Sequence, residues 1–280
     1  MKLACGTRTL DLRAPVVMGI LNITTDSFSD GGELLAGDRL DCDALLARAE
    51  AMVAAGAAVL DVGGESTRPG AEAVAEAEEA ERIGEALALL APRFDVVLSV
   101  DSSSPLVMGV AADAGAGMLN DVRALRRQGA LEAAAASGIP VCLMHMQGDP
   151  QTMQVDPRYD DVIREVRAFL AERMAACVAA GIAPEQLLVD PGFGFGKRLT
   201  HNVTILRELR QIANLGPPVI VGMSRKRMLG DLTGRTVTER VASGVAAAAL
   251  AVERGARIVR THDVAPTVDA LAVALAVRES

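Results

Sequence analysis

"VVMGILNITTDSFSDGG", residues 16–32, begins as an unbroken apolar run and turns polar at Asn22. An apolar run without alternation belongs to a strand covered on both faces, as in a parallel sheet, and its polar end then needs a separate reason. The pattern recurs in "VLDVGG" (59–64), "VVLSVD" (96–101), "GMLND" (117–121), "VCLMHM" (141–146), "LLVDPG" (187–192), "PVIVGMS" (218–224) and "RIVRTH" (257–262). Between these runs lie stretches such as "CDALLARAEAMVAAGA" (42–57) and "YDDVIREVRAFLAERMAACVAAG" (159–181). Their apolar residues fall at helical spacing, and a terminal glycine suits a helix C-terminus. An open doubly wound sheet usually stops sooner, whereas eight strand–helix units are the number that closes a TIM barrel. The sequence therefore predicts the α/β class and a (β/α)8 TIM barrel. "KLACGTRTLDL" (2–12) reads as a short N-terminal β-hairpin, turning at Gly6, that caps the barrel bottom. No linker or repeat divides the chain, so residues 1–280 read as one domain.

Composition narrows the function. Hydrophobic residues make up 50% of the chain but aromatics only 2%, so the core is aliphatic and a phenylalanine beside glycines, such as Phe28, Phe193 or Phe195, stands out. A net charge of −8 argues against a nucleic-acid surface, and an anionic ligand would need a local basic pocket. Cys5, Cys42, Cys142 and Cys177 show no paired spacing and read as buried free thiols, which suits a reducing cytoplasm. Arg8, Asp11 and Arg13 interrupt any apolar leader, and no later run approaches the ~18 residues that span a bilayer, so no membrane association is expected.

In such barrels the chemistry sits at the C-terminal ends of the strands, which explains the abrupt polarity after Leu21. Asp101, Asn120 and Asp190 end the third, fourth and sixth strands and should face one axial pocket. Each could instead cap the following helix. Together, two carboxylates and an amide match a flat heterocycle with adjacent N–H donors, such as a 2-amino-4-oxo pterin, with Lys226 serving its carbonyl. "DPGFGFGK" (190–197) lacks the spacing of a phosphate-binding Walker loop; its two phenylalanines suggest an apolar wall beside a flat ring, or a packed turn. "SRKR" (224–227) and "RTH" (260–262) place cations at the last two strand ends, where barrels commonly build anion sites. Arg68 in "GGESTRPG" (63–70) reads equally as a ligand contact or an exposed loop residue. His145, His201 and His262 form no metal-binding spacing, His201 is expected to face solvent, and no serine or cysteine sits in a nucleophile motif. A Mg2+ ion held by substrate phosphates and Asn22 remains open.

These segments, with "LMHMQGDPQTMQ" (143–154) and "VGMSRKRMLG" (221–230), resemble the dihydropteroate synthase family in order from the first strand to the last. The resemblance implies a TIM barrel that condenses (7,8-dihydropterin-6-yl)methyl diphosphate with 4-aminobenzoate, giving 7,8-dihydropteroate and diphosphate, with Mg2+. Asp101, Asn120, Asp190, Lys226 and Phe195 would hold the pterin. Thr67, Arg260 and His262 would hold the diphosphate, with Asn22 on the metal, and Lys226, Arg260 and His262 would carry the catalytic charge. Phe28, Thr67, Arg68, Pro69 and Arg227 would line the 4-aminobenzoate pocket, where sulfonamide analogues should compete. The first two rim loops should close on the pterin diphosphate before the second substrate binds. A homodimer is also implied. Thr25 and Arg227 depart from the proline and serine that many relatives carry at these places. A methyltetrahydrofolate-binding methyltransferase would not need the cations Lys226, Arg260 and His262, and a silent pterin-binding paralogue would have lost loop or anion residues.

Overall fold

Eight parallel strands close into a barrel: β1 (Val16–Asn22), β2 (Ala57–Gly63), β3 (Val97–Asp101), β4 (Met118–Asp121), β5 (Val141–Met144), β6 (Leu187–Asp190), β7 (Val219–Gly222) and β8 (Ala256–Thr261). They follow chain order around the ring, and β8 closes on β1 with Ile258 beside Val16. This computed structural model describes residues 1–24, 34–36, 39–66 and 74–279. The helices are α1 (Cys42–Ala54), α2 (Glu76–Leu90), α3 (Pro105–Asp113), α4 (Ala130–Ser137), α5 (Val162–Ala179), α6 (Leu199–Arg207), α7 (Leu209–Ala213), α8 (Arg227–Thr233), α9 (Val241–Glu253) and α10 (Val264–Glu279).

Alternation along each strand explains the continuous apolar runs. Outward residues such as Leu21, Leu60, Val62, Leu98 and Leu119 pack with helix residues such as Leu45, Ile83 and Leu87 in one large core. Inward residues form a second, smaller core, to which every strand gives one side chain: Met18, Val59, Val97, Met118, Cys142, Leu188, Ile220 and Ile258. Leu3, Cys5, Leu10 and Leu12 join that layer from below. The hairpin pairs Lys2–Cys5 with Arg8–Asp11 in antiparallel register and plugs the N-terminal end of the barrel, as the sequence led us to expect. Both faces of each strand are therefore dry, and each fully buried aliphatic side chain contributes roughly 1.5–3 kcal/mol.

Local signals set the helix ends. Asp41 accepts the Ala44 N–H at 3.0 Å before α1, and Asp161 accepts the Ile163 and Arg164 N–H groups before α5. Three features were not foreseen. The segment after β6 breaks into α6 and α7, and that after β7 into α8 and α9. Residues Leu35–Ala36 and Arg39–Leu40 also form a short antiparallel pair just before α1 in the chain. No helix among the described residues is long and apolar enough to cross a membrane. The cysteines are free; Cys42 is the one that is not buried.

Candidate active site

A cavity of about 830 Å³ opens at the C-terminal ends of the strands. Its lining includes Asn22, Asp101, Asn120, Asp190, Phe195, Lys226, Arg227, Arg260 and His262. The sequence-derived residues thus converge on one site. Thr25, Phe28, Thr67, Arg68 and Pro69 lie outside the described residues. The inward strand positions explain the convergence: two residues beyond the apolar layer, the same faces carry Asp61, Ser99, Asn120, Asp190 and Arg260. Helix capping does not account for Asp101 or Asn120, because Ser104 caps α3. Asp121, not Asn120, holds the turn after β4, accepting the Arg123 and Leu125 N–H groups at 2.8 and 2.7 Å.

Arg260 is the centre of the charge pattern. Its Nε donates to Asp61 Oδ2 at 2.6 Å and its Nη2 to Asp101 Oδ2 at 2.9 Å. Asn120 also donates to Asp61 Oδ2, at 3.4 Å, and Asp61 is fully buried. Asp61 Oδ1 has no hydrogen-bond partner among the described residues. The sequence reading gives Asp61 no role. Its signal was present in "VLDVGG", where a lone carboxylate interrupts a run otherwise fit for a dry strand; its partner lies 199 residues away. Burial pushes the Asp101 carboxyl up to about 7, Arg260 draws it down, and Asp61 and Asp121 raise it further.

On the opposite wall, burial raises the Asp190 carboxyl, while Lys226, the Gly192 N–H at 2.7 Å and Lys197 favour its ionised form. Burial lowers the Lys226 ammonium to about 8, against the pull of Asp190. Lys226 Nζ donates to the Phe193 carbonyl at 2.5 Å and stands 4.6 Å from the Phe195 ring centroid. The two phenylalanines do not share a wall. Phe193 is fully buried in the outer core, and only Phe195 meets the cavity, among Val122, Met144, Met146 and Met153.

At the rim, Ser224 Oγ accepts the His262 backbone N–H at 3.2 Å and lies 3.0 Å from its Nδ1. Arg225 pairs with Asp263 at 2.6 Å beside them. Arg227 is far more exposed, at 90%, and lies 3.6 Å from Asp231. His145 faces Lys197 at 2.9 Å rather than the cavity, and His201 stacks edge-on against Tyr159 at 4.9 Å instead of standing free in solvent. No group of three acidic, histidine or cysteine side chains among the described residues is placed to hold a metal. The donor set therefore fits a hard cation only if phosphate oxygens of a ligand supplement the amide oxygen of Asn22.

Taken together, the cavity offers carboxylate acceptors at depth, an apolar ring beside them and cationic donors at the rim. Comparison with known proteins places the chain in a family. The family model for "Pterin binding enzyme" matches residues 18–262. The dihydropteroate synthase of Escherichia coli K12 is 50% identical over 273 residues, covering 98% of this chain and 95% of the relative. The Yersinia pestis dihydropteroate synthase, solved with a sulfonamide drug complex, superposes with a TM-score of 0.96 at 49% identity, covering both chains completely. The Xanthomonas albilineans dihydropteroate synthase with 4-aminobenzoic acid gives a TM-score of 0.92 at 50% identity, covering 100% of this chain and 98% of that one.

Proposed function

The chain belongs to the dihydropteroate synthases of the pterin-binding enzyme family, and from that premise we propose how its residues divide the work. It condenses (7,8-dihydropterin-6-yl)methyl diphosphate with 4-aminobenzoate, forming 7,8-dihydropteroate and releasing diphosphate. Asp190 accepts paired N–H donors of the pterin, Asn120 and Asp101 complete the ring's recognition, Lys226 donates to its carbonyl, and Phe195 covers its face. Two of the five Arg260 donors are spent on Asp61 and Asp101, which leaves three for the diphosphate beside His262. Bond breaking at the pterin methylene carbon leaves negative charge on diphosphate and positive charge spread into the ring. Arg260, Lys226 and His262 stabilise the first, and Asp101 and Asp190 the second. The aryl amine attacks as a neutral nucleophile, and the acidic anilinium so formed gives its proton to water or to the departing diphosphate, so the chain needs no general base. Arg227 meets the 4-aminobenzoate carboxylate at the cavity mouth, with Phe28, Thr67, Arg68 and Pro69 on the same pocket.

Mg2+ belongs to this reading. Bound through Asn22 and the ligand's phosphates, it would neutralise charge on the leaving diphosphate. Cytoplasmic location is supported by the free thiols, and a homodimer by the exposed apolar side chains of Leu250 on α9 and Val273 and Val277 on α10. The observation that carries the proposal is the joint presence, in one cavity, of Asp101, Asn120 and Asp190 with the cations Lys226, Arg260 and His262. A methyltransferase acting on a folate without diphosphate has no use for the latter set. The test is diphosphate release with and without 4-aminobenzoate. Release should require 4-aminobenzoate; equal release without it would mean hydrolysis. Arg260→Ala should lower turnover more than it weakens binding of the bare pterin alcohol, and equal losses would make Arg260 a scaffold residue.

A further inference from the structure

We propose that Lys197 is a positioning residue, which fastens the glycine-rich loop to the end of β5 and thereby sets where the Phe195 ring stands in the cavity. The proposal rests on the reading of Phe195 as a pterin contact. Lys197 is 3% exposed. Its Nζ donates to the Gly192 carbonyl at 2.9 Å, the Phe195 carbonyl at 3.0 Å and the His145 carbonyl at 3.3 Å, and lies 2.9 Å from His145 Nδ1. Three carbonyl oxygens, all belonging to the loop or to the residue just past β5, thus accept from one nitrogen, with the His145 ring beside it. Burial pushes the Lys197 ammonium well below its ordinary range, and a buried polar nitrogen is costly unless its hydrogen bonds are made; here they hold one particular loop shape.

The loop backbone lies directly on the segment it is tied to. A Cβ at Gly192 would overlap the His145 carbonyl oxygen, and one at Gly196 would lie 2.5 Å from the Gln147 carbonyl oxygen; both residues have positive φ, +70° and +62°. Two lesser ties flank the lysine: the Gly194 N–H to Asn202 Oδ1, and the Tyr159 hydroxyl to the Gly196 carbonyl, each at 2.8 Å. The consequence is the split between the phenylalanines. Phe193 is driven fully into the core while Phe195, two residues on and held by its own carbonyl, turns to the methionine cluster and the cavity. Lys197 borders the cavity, but its ammonium is committed to the loop. Its hydrogen bonds act on the ligand through Phe195, and its effect on the Asp190 carboxylate is smaller than that of Lys226.

A double-mutant cycle tests this. Dissociation constants for the bare pterin alcohol are measured by titration calorimetry in the wild type, Lys197→Met, Phe195→Ala and the double variant, with circular dichroism as the check on folding. Each single change should weaken binding about tenfold, and the double variant should stay within about threefold of Phe195→Ala, because the lysine has nothing left to position. A double loss beyond that range, as multiplying independent effects would give, overturns the proposal, and so does wild-type affinity in Lys197→Met. Wild-type affinity in Phe195→Ala would instead remove the reading of Phe195 on which the proposal stands. Should Lys197→Met fail to fold, Tyr159→Phe loosens the same loop by one hydrogen bond. It should weaken binding about threefold, but only while Phe195 is present. Unchanged affinity in that variant, or a loss that persists without Phe195, overturns the proposal as well.

Discussion

The two ends of the barrel interior are made by the same eight strands and have opposite chemistry. At the N-terminal end each strand contributes an apolar side chain, and the hairpin seals the layer with Leu3, Cys5, Leu10 and Leu12. Two residues further along, the inward positions carry Asp61, Ser99, Asn120, Asp190 and Arg260. The lower layer gains free energy by excluding water. The upper one places buried carboxylates around one arginine, with Asp61 Oδ1 left unpartnered among the described residues. A strand can be scaffold at one end and reactive at the other because side chains two apart share a face but not a depth. Changes in the lower layer should therefore cost stability and spare ligand affinity, and changes in the upper layer should do the reverse.

The hardest test of that division is Leu188→Ala, which removes a fully buried side chain from the lower layer. It should cost about 2–5 kcal/mol in denaturant unfolding and leave pterin-alcohol affinity unchanged for the folded protein. An affinity loss of similar size would mean that the two ends are not separable. The converse is Asp190→Asn, two residues away on the same strand. One ring donor would then face an amide donor, with a loss of about 1–3 kcal/mol in pterin binding by calorimetry. Its unfolding midpoint should not fall, because burial already disfavours the ionised form that the substitution removes. A midpoint lowered as far as that of Leu188→Ala would make Asp190 scaffold.

How much of this was legible in the sequence follows from the same geometry. A continuous apolar run marks a strand with two dry faces, so all eight strands were visible, and "VVMGILN" had its true limits, Val16–Asn22. Strand ends identify a rim without any knowledge of pairing, so Asp101, Asn120, Asp190, Lys226, Arg260 and His262 could be gathered in advance. What depends on a partner could not be read. The bond between Asp61 and Arg260 joins residues on β2 and β8, and nothing in either segment names the other. Phe193 and Phe195 are alike in sequence, and their opposite fates are decided by a loop whose glycines 192, 194 and 196 have the spacing of a strand but all take positive φ, which the spacing does not reveal. The break between α6 and α7 was also hidden, since Glu208 alone separates them, whereas the break between α8 and α9 carried a signal in Gly234, which ends α8 in the left-handed conformation.

Acidity should divide the two ends as well. Glu79, on α2 behind the β2 end, is nearly fully buried, and its Oε1 has no hydrogen-bond partner among the described residues. Burial raises its carboxyl to about 7, a bond from Ser102 lowers it, Glu65 and Glu76 raise it, and Arg127 lowers it. A carboxyl raised in the folded state adds stability below its ordinary range near 4.5 and loses that contribution as pH rises through about 7. Stability should therefore fall across that window, by on the order of 1 kcal/mol from this residue once internal relaxation is allowed for. Glu79→Gln should flatten the fall. A pH profile unchanged by the substitution would assign the dependence to Asp101, which burial also raises to about 7.

The smallest effect belongs to Arg227, at the outer limit of the upper region. Its side chain is 90% exposed and lies 3.6 Å from Asp231, so Arg227→Ala should change stability by less than about 0.5 kcal/mol. If its guanidinium meets the 4-aminobenzoate carboxylate, that contact is made in high dielectric and contributes about 0.2–1 kcal/mol. Truncation should then raise the KM for 4-aminobenzoate by up to about fivefold, leaving kcat and pterin affinity unchanged, and the difference should shrink as salt screens the charge. A KM that does not move would mean that Arg227 turns toward Asp231 throughout the reaction. The reactive region would then end at Lys226.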